Sequence, residues 1–565
     1  MQQQVIDKKI KTLVICTLLI GCIIIARLVQ LQVHLKDLFV SKSMHNFLKL
    51  ETVPSPRGNI IDQHGNLLAT NRPVYSIEWK GTGNYRLSAE QNSTISYLEK
   101  ILDTSLDKKI QSISRAERYR KTVKIAADIS FEKLSKLEEY FCANKNITIT
   151  TDFQRFYPHQ KKASHILGYL GKITIKQLAG KMGLEKLFNE SLQGKDGIKQ
   201  KTINSLGKKL QETSIEKALS GKTVQTTLDL KMQTIVEEIF PKDESGTCIL
   251  MDPQDGALIA VVSYPHFDPT LFLSPILNNE WSLLQKNNPF LNRAFNAEYP
   301  PGSIFKLISV AAALENNLVT EDTTWDCKGF LHFGKRKYFC HRRWGHGQVT
   351  IGQALEKSCN ICFYDIAKQL PIDILADYAQ RFGLGQKTNI LFPEKAGLVP
   401  TTQWKLEKKG ERWWPGETLS AIIGQSFLLT TPLQIARMIG SIFTGYLVKP
   451  RILTSEEIQK EPLNLKEETR LFLQQSMKKV VTQGTARRVN KIDDMEIYAK
   501  TSTAQTSSFS KRFLGKKYKE HGWFVMYFKH KNKQPLVMIV LVEHAGTSRV
   551  PALIAKRFLT HYKKL

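Results

Sequence analysis

The sequence predicts a multidomain chain of mixed α+β and α/β class. It has a single N-terminal transmembrane helix, a non-catalytic middle region and a C-terminal domain built on an antiparallel sheet flanked by helices. Three observations lead there. An apolar run stands near the N-terminus, residues 35–222 hold no catalytic constellation, and beyond them helical patterns lie between two strand pairs, one at either end. A length of 565 residues leaves room for roughly two to four domains. Hydrophobic residues at 42% against 24% charged exclude a disordered chain.

The anchor comes first. Lys8, Lys9 and Lys11 close a short polar tail, residues 1–11, ahead of the uncharged run 12–26. Continued through Arg27 to Val33, this run measures about 33 Å as a helix, enough for a hydrocarbon core of ~30 Å. A transmembrane anchor is therefore expected at 12–34, with Arg27 reaching to the interface. The lysine-bearing tail is expected in the cytoplasm and the rest of the chain outside. No small-x-small site follows the run, which argues against a cleavable signal. Leu19-Ile20-Gly21-Cys22 has the look of a lipoprotein cleavage box, but Ile23, Ile24 and Ile25 carry the apolar run past the cysteine.

Pro54-Ser55-Pro56-Arg57-Gly58 breaks the chain after the anchor, and Ile60 to Leu68 reads as two short strands around Gly65-Asn66. Residues 85–150 are polar with helical periodicity and form an inserted lobe within the region 35–222. The texture changes at 223. Asp229 precedes a helical run to Phe240, strands are expected at 247–251 and 257–262 around Asp255-Gly256, and a second hairpin at 523–528 and 536–542. A formal net charge of +29 can suit an anionic membrane or polymer, but a solvated lysine-rich surface is the favoured account of it. No zinc-finger pair, helix-turn-helix or arginine-aromatic motif accompanies the charge, so nucleic acid is not an expected partner. Eight cysteines are too few for a disulfide scaffold.

The chemistry centres on Tyr299-Pro300-Pro301-Gly302-Ser303-Ile304-Phe305-Lys306, which leads into an alanine-rich helix. Ser303 falls at its first turn and Lys306 one turn later on the same face. A serine hydroxyl needs an adjacent base, and a desolvated lysine can serve as one. Ser358-Cys359-Asn360 and Lys500-Thr501-Ser502 follow in order. The set resembles the three-motif active site of penicillin-binding proteins and serine β-lactamases, Ser-x-x-Lys, Ser-x-Asn and Lys-Thr-Gly. Arg57 to Asp62, Gly183-Leu184-Glu185, Thr227-Leu228-Asp229 and Ile423-Gly424-Gln425 are similar to class B penicillin-binding proteins. Trp344-Gly345-His346-Gly347 and Trp414-Pro415-Gly416-Glu417-Thr418 look most like the type 2, elongation branch.

That resemblance implies a pedestal or dimerisation-type domain at 35–222 and a penicillin-binding-protein/serine β-lactamase-like transpeptidase domain at 223–565. It implies a peptidoglycan D,D-transpeptidase, a β-lactam target, acting on the D-Ala-D-Ala end of a stem peptide, with residual carboxypeptidase activity. Ser303 would attack, Lys306 would take the hydroxyl proton, and Ser358 would pass a proton to the leaving amine. Asn360 would bind the substrate backbone, Lys500 and Thr501 its carboxylate, and the Ser303 and Thr503 backbone N–H groups the oxyanion. No organic cofactor is implied. A SEDS-family glycan polymerase is the implied partner, and the inner membrane, with a periplasmic catalytic domain, the implied location.

Two residues depart from the pattern. Ser502 stands where the family has glycine in Lys-Thr-Gly, adding a side chain beside the substrate strand and the oxyanion donor. Ser426 replaces a glycine after Ile-Gly-Gln. Ser502 keeps open a second reading, a weakly active or inactive scaffold that activates the polymerase. A β-lactam hydrolase on the same fold is a third, opposed by the long middle region and by the lack of a candidate deacylating glutamate.

Cys327, Cys340, His346 and Cys359 are spaced C-x12-C-x5-H-x12-C. Three thiolates and an imidazole complete a closed tetrahedral zinc set, and Cys362 could substitute for Cys359. A Cys327–Cys340 disulfide and unpaired buried thiols are the alternatives. The resemblance adds that type 2 members look to carry a metal at these positions. His521 and Trp523 are read as packing or capping residues and His341, Arg342 and Arg343 as a solvated loop. Trp413 and Trp414 could line the groove or pack.

Overall fold

The computed structural model describes residues 2–565 apart from 142–143, 173–177, 204–208, 275, 277, 287, 491, 493, 508 and 532. Cys142 lies outside the described residues. The chain forms two compact units. One comprises Met1–Arg57, Pro73–Gln154 and Gln193–Lys222, the other Gly58–Arg72, Arg155–Leu192 and Thr223–Leu565. Residues 58–72 and 155–192, which the sequence reading placed in the middle region, thus belong to the unit that holds 223–565. A buried ion pair holds the two segments together, Arg155 Nε donating to Glu185 Oε1 at 2.6 Å and Arg155 Nη1 to the Gly58 carbonyl at 2.8 Å. The Ala163 N–H ties them to 223–565 by donating to Glu237 Oε1 at 2.8 Å. Ile60–Ile61 pairs in parallel with Val224–Gln225. Ile60, Ile166 and Leu184 join the same apolar core as Leu307 and Ile308.

In the first unit, the helix Gln2–Val29 continues through one π-helical turn, Gln30–His34. The most apolar 18-residue window within Ile10–His34 has a mean hydropathy of 2.6, and among the described residues this is the one helix long and apolar enough to cross a membrane. Leu48–Val53, Gly197–Ile203 and Lys209–Glu216 form an antiparallel sheet with 197–203 in the centre. The lobe expected at 85–150 contains the helices Ala89–Leu102, Asp107–Arg118 and Phe131–Phe141 and the strand Thr122–Ala126. Ile77, Trp79, Leu98, Ile113 and Leu137 form its core.

A carboxylate lies inside that core. Glu117 is inaccessible to solvent. It accepts hydrogen bonds from Trp79 Nε1 at 2.9 Å, the Thr82 N–H at 3.0 Å and Asn146 Nδ2 at 3.0 Å. Burial opposes its charge, but the bonds from Thr82 and Trp79 outweigh that and bring its pKa from 4.5 down to about 2. A depressed folded-state pKa contributes stability above pH ~4.5 that is lost as pH falls toward 2. Glu117→Gln is therefore expected to cost the lobe about 2 kcal/mol at neutral pH. The gap from wild type should close between pH ~4.5 and ~2, as measured by denaturant unfolding across that range.

The second unit is built on five strands: β1 (Gly246–Met251), β2 (Leu258–Tyr264), β3 (Met495–Ala504), β4 (His521–His530) and β5 (Leu536–Val542). Their order is β2-β1-β5-β4-β3, antiparallel throughout. The two hairpins expected from sequence are β1–β2 and β4–β5. Alternate residues serve opposite faces. Val525, Ile539 and Leu541 face α2 (Lys306–Glu315) and α3 (Pro432–Thr444). Phe524, Val540 and Val542 face α1 (Leu230–Ile239) and α5 (Arg549–Tyr562). Between α3 and α5 in sequence, α4 (Glu467–Thr482) leads into the region before β3. Because both faces are covered, β5 is buried at every residue. β3 pairs only with β4 and lies at the sheet edge.

Candidate active site

The turn that carries Ser303 is fixed by backbone bonds before any side chain is considered. Tyr299 exchanges both hydrogen bonds with Thr430 at 2.9 Å, and the Gly302 N–H donates to the Gly424 carbonyl at 2.9 Å. Both glycines are needed. Gly302 has φ +53° and Gly424 φ +76°, and a Cβ on Gly424 would sit 2.1 Å from the Gly302 carbonyl oxygen. The short 3₁₀ turn Gly302–Ile304 then opens into α2.

Lys306, on the first turn of α2, is wholly buried. Its Nζ donates to Ser358 O at 2.9 Å, Cys359 O at 3.1 Å and Asn360 Oδ1 at 2.7 Å, and stands 3.4 Å from Ser358 Oγ. Burial lowers its pKa to about 8, against a weaker upward pull from Cys359, Cys340 and Cys362. Lys500 on β3 is also buried, with Nζ 3.3 Å from Ser358 Oγ and 3.2 Å from Thr501 O. Burial, then repulsion from Lys306, holds it well below the usual lysine value. The Ser358 hydroxyl thus lies between two amines, on a residue whose φ of +53° is unusual for a non-glycine.

These groups open on a cavity of about 560 Å³ walled by Ser303, Ser358, Asn360, Thr501 and Thr503, within the range that encloses small ligands. The structure so brings together the seven residues singled out from the three motifs. Asn360 is more constrained than expected, with Oδ1 on Lys306 and Nδ2 on the Phe339 carbonyl at 3.2 Å. Among the described residues no hydrogen bond joins Ser303 Oγ to Lys306, whose three protons have the acceptors named above. Thr485, which sequence reading missed, places its Oγ1 2.6 Å from Thr501 Oγ1 at the cleft wall. Nothing in Gly484-Thr485 signals that role, since the pair reads as a helix stop.

The penicillin binding protein transpeptidase domain family matches residues 246–560, and the penicillin-binding protein dimerisation domain family matches 52–226. The chain belongs to the penicillin-binding protein transpeptidase family. It is 29% identical to peptidoglycan D,D-transpeptidase MrdA of Acinetobacter baumannii, over 96% of this chain and 85% of that one. To MrdA of Escherichia coli K12 it is 26% identical, over 96% and 92%. The penicillin-binding protein PBP2 of Helicobacter pylori, solved in complex with MreC, superposes with a TM-score of 0.78 at 27% identity, covering 92% of this chain and 99% of that one. A chain from a peptidoglycan synthase complex that couples polymerization and crosslinking gives 0.76 at 29% identity, covering 99% and 98%.

In this penicillin-binding protein the altered third motif behaves differently from what its bulk suggests. Ser502 is nearly inaccessible, and its hydroxyl donates to the Pro301 carbonyl at 2.8 Å. The hydroxyl is directed to the turn that carries Ser303, and the residue itself borders the cavity. Trp523 packs edge-on against Tyr299 and donates Nε1 to the Pro300 carbonyl at 3.2 Å, a packing and capping role as expected. Trp413 Nε1 caps Thr418 Oγ1 at 2.8 Å, while Trp414 is half exposed. His341 and Arg343 stand at the cleft wall rather than on a remote loop.

The ligand atoms of Cys327, Cys340, His346 and Cys359 all lie within 4.8 Å of one another. His346 Nδ1 is 3.5 Å from both Cys327 Sγ and Cys340 Sγ, and Cys340 Sγ is 3.9 Å from Cys359 Sγ. Zinc bond lengths of ~2.3 Å to sulfur and ~2.05 Å to nitrogen give tetrahedral edges of about 3.6 Å (S–N) and 3.8 Å (S–S). The donor set fits. The described cysteines are all free thiols, and Cys362 Sγ lies 3.8 Å from Cys359 Sγ.

The second departure has a physical cost. Ser426 has φ +68°, in the left-handed region that favours glycine. Ser426→Gly is expected to stabilise the protein by roughly 0.5–1 kcal/mol, read as a higher denaturation midpoint.

Proposed function

We propose that this peptidoglycan D,D-transpeptidase of the elongation type works through a Ser303 acyl-enzyme. The observation that carries the reading is the Ser358 hydroxyl placed between Lys306 and Lys500 at the floor of the cleft that Ser303 enters. Ser303 Oγ attacks the penultimate D-Ala carbonyl of a stem peptide as Lys306, in its neutral form, takes the hydroxyl proton. The Ser303 and Thr503 backbone N–H groups stabilise the oxyanion, where one donor is commonly worth ~3 kcal/mol. Lys500 and Thr501 hold the terminal carboxylate, and Asn360 steadies Lys306 and the substrate backbone. Collapse breaks the C–N bond, Ser358 hands a proton to the departing D-Ala amine, and an amine of a neighbouring stem takes the acyl group. Water in place of that amine gives residual carboxypeptidase turnover.

The same reading places the helix Gln2–Val29 in the inner membrane with the catalytic unit in the periplasm. The chain's work partner is a SEDS-family glycan polymerase within the elongation complex; the relative solved with MreC supports that assembly. Ser502, which favoured the scaffold reading, has its hydroxyl on Pro301 rather than in the substrate slot, and this supports the active one. Cys327, Cys340, His346 and Cys359 would hold a structural zinc, whose contribution is to fix the loop behind Ser358.

Intact-mass spectrometry of the detergent-purified chain with benzylpenicillin tests the nucleophile. One long-lived adduct per chain is expected, absent in Ser303→Ala; a folded wild-type chain without adduct would refute the assignment. Elemental analysis tests the metal. About one zinc per chain is expected, lost together with several degrees of melting temperature in Cys340→Ser, whereas a metal-free wild type of unchanged stability would exclude it.

A further inference from the structure

The turn that presents Ser303 has an unusual backbone. Pro300 and Pro301 carry no N–H, so this stretch can be tied to its surroundings only through carbonyl oxygens or side chains. Both carbonyls are taken by the sheet. Pro300 O accepts from Trp523 Nε1 at 3.2 Å and Pro301 O from Ser502 Oγ at 2.8 Å. Those two donors are direct cross-strand partners, Ser502 on β3 opposite Trp523 on β4. The Ile304 N–H reaches the Pro301 oxygen only at 3.4 Å, so the serine hydroxyl makes the short bond.

The space for that hydroxyl comes from the turn itself. A Cβ on Gly302 would lie 2.4 Å from Ser502 Oγ, so the glycine before the nucleophile leaves the gap that the serine fills. Ser502 is 3% exposed and lines the cleft with its neighbours Thr501 and Thr503. The bonded pair is therefore adjacent in sequence to both halves of the oxyanion site: Ser303 lies two residues after Pro301, and Thr503 one residue after Ser502.

We propose that Ser502 is a positioning residue, whose hydroxyl, beside the Trp523 indole, clamps the Pro300-Pro301 backbone to the sheet and sets Ser303 in register with the edge strand β3. Its hydroxyl is committed to the Pro301 carbonyl. It acts by fixing the separation of the two N–H groups and of Ser303 Oγ from the carbonyl they receive, a geometry in which ~1 Å can be worth ~100-fold in rate. On this account the chain dispenses with the glycine of its third motif because the added side chain is spent on the turn rather than on the substrate slot.

The proposal rests on Ser303 as nucleophile, and the experiment separates the two. The full-length chain in detergent is mixed with benzylpenicillin over a range of concentrations, and the first-order acylation rate is resolved from the initial dissociation constant. Ser502→Ala and Ser502→Gly are each expected to lower the acylation rate roughly tenfold, with the dissociation constant within about twofold of wild type because the hydroxyl removed is bonded to Pro301 and the other residues of the cleft wall are unchanged. A general loss of folding would not divide in this way, and melting curves recorded beside the kinetics identify it. Acylation by either variant at the wild-type rate, or faster in the glycine variant, overturns the proposal, as does a loss confined to the dissociation constant. An adduct that persists in Ser303→Ala refutes the nucleophile instead and leaves the clamp without a reaction to serve.

Discussion

The amine of Lys306 sits in a solvent-excluded site where three oxygens receive it: Ser358 O, Cys359 O and Asn360 Oδ1. Burying an amine without such partners would cost several kcal/mol, so the lysine and the loop that supplies the oxygens require each other. The loop in turn holds Ser358 at φ +53°, a conformation that costs on the order of 1 kcal/mol for a side-chain-bearing residue. In that conformation its carbonyl and hydroxyl both face Lys306. The helix that carries Lys306, the Ser358 loop and the strand that brings Lys500 thus converge on one small polar cluster inside an otherwise apolar unit.

The two lysines are not equivalent within it. Lys306 has a full set of acceptors, and burial brings it to about 8. Lys500 has the Ser358 hydroxyl and its neighbour's carbonyl, and it also feels the charge of Lys306. A bound carboxylate would relieve that repulsion, which gives the edge strand a physical reason to bind an anionic substrate end. Ser358, within 3.4 Å of both amines, is the one hydroxyl in the cluster placed to exchange a proton with either.

Much of this was legible in the sequence. The strands β1, β2, β4 and β5 are apolar runs with turn residues between them, and local pattern suffices to find them. The three motifs are recognisable because each is short and contiguous. What local pattern cannot carry is pairing across distance. Glu237 looks like a surface charge on a helix, and only its burial and its bond from the Ala163 N–H show that 155–192 belongs with the unit that holds 223–565. Ser502 reads as added bulk beside a substrate, because nothing in Lys-Thr-Ser indicates that its hydroxyl has Pro301 to bind. Thr485 escapes for the same reason, its partner being a strand residue 16 positions on, beyond the short 3₁₀ turn Arg487–Val489. The missed features are side-chain contacts between elements, and the ones found lie within elements.

Cys359 shows how the cysteine loop bears on catalysis without entering it. Its carbonyl accepts from Lys306, while its thiol lies 3.9 Å from Cys340, on the other side of the same residue. The next residue repeats the arrangement: the Asn360 N–H points to Cys340 Sγ at 3.4 Å while its Oδ1 faces the lysine. A change in the thiol cluster therefore reaches Lys306 through one covalently continuous segment, with no chain of intervening side chains to relay it. Whatever fixes the four ligand atoms fixes the backbone that holds the lysine, and through it the hydroxyl of Ser358. Three thiols and an imidazole from a loop of short strands thus meet directly behind Ser358 and Asn360, where one segment faces the lysine on one side and the thiols on the other.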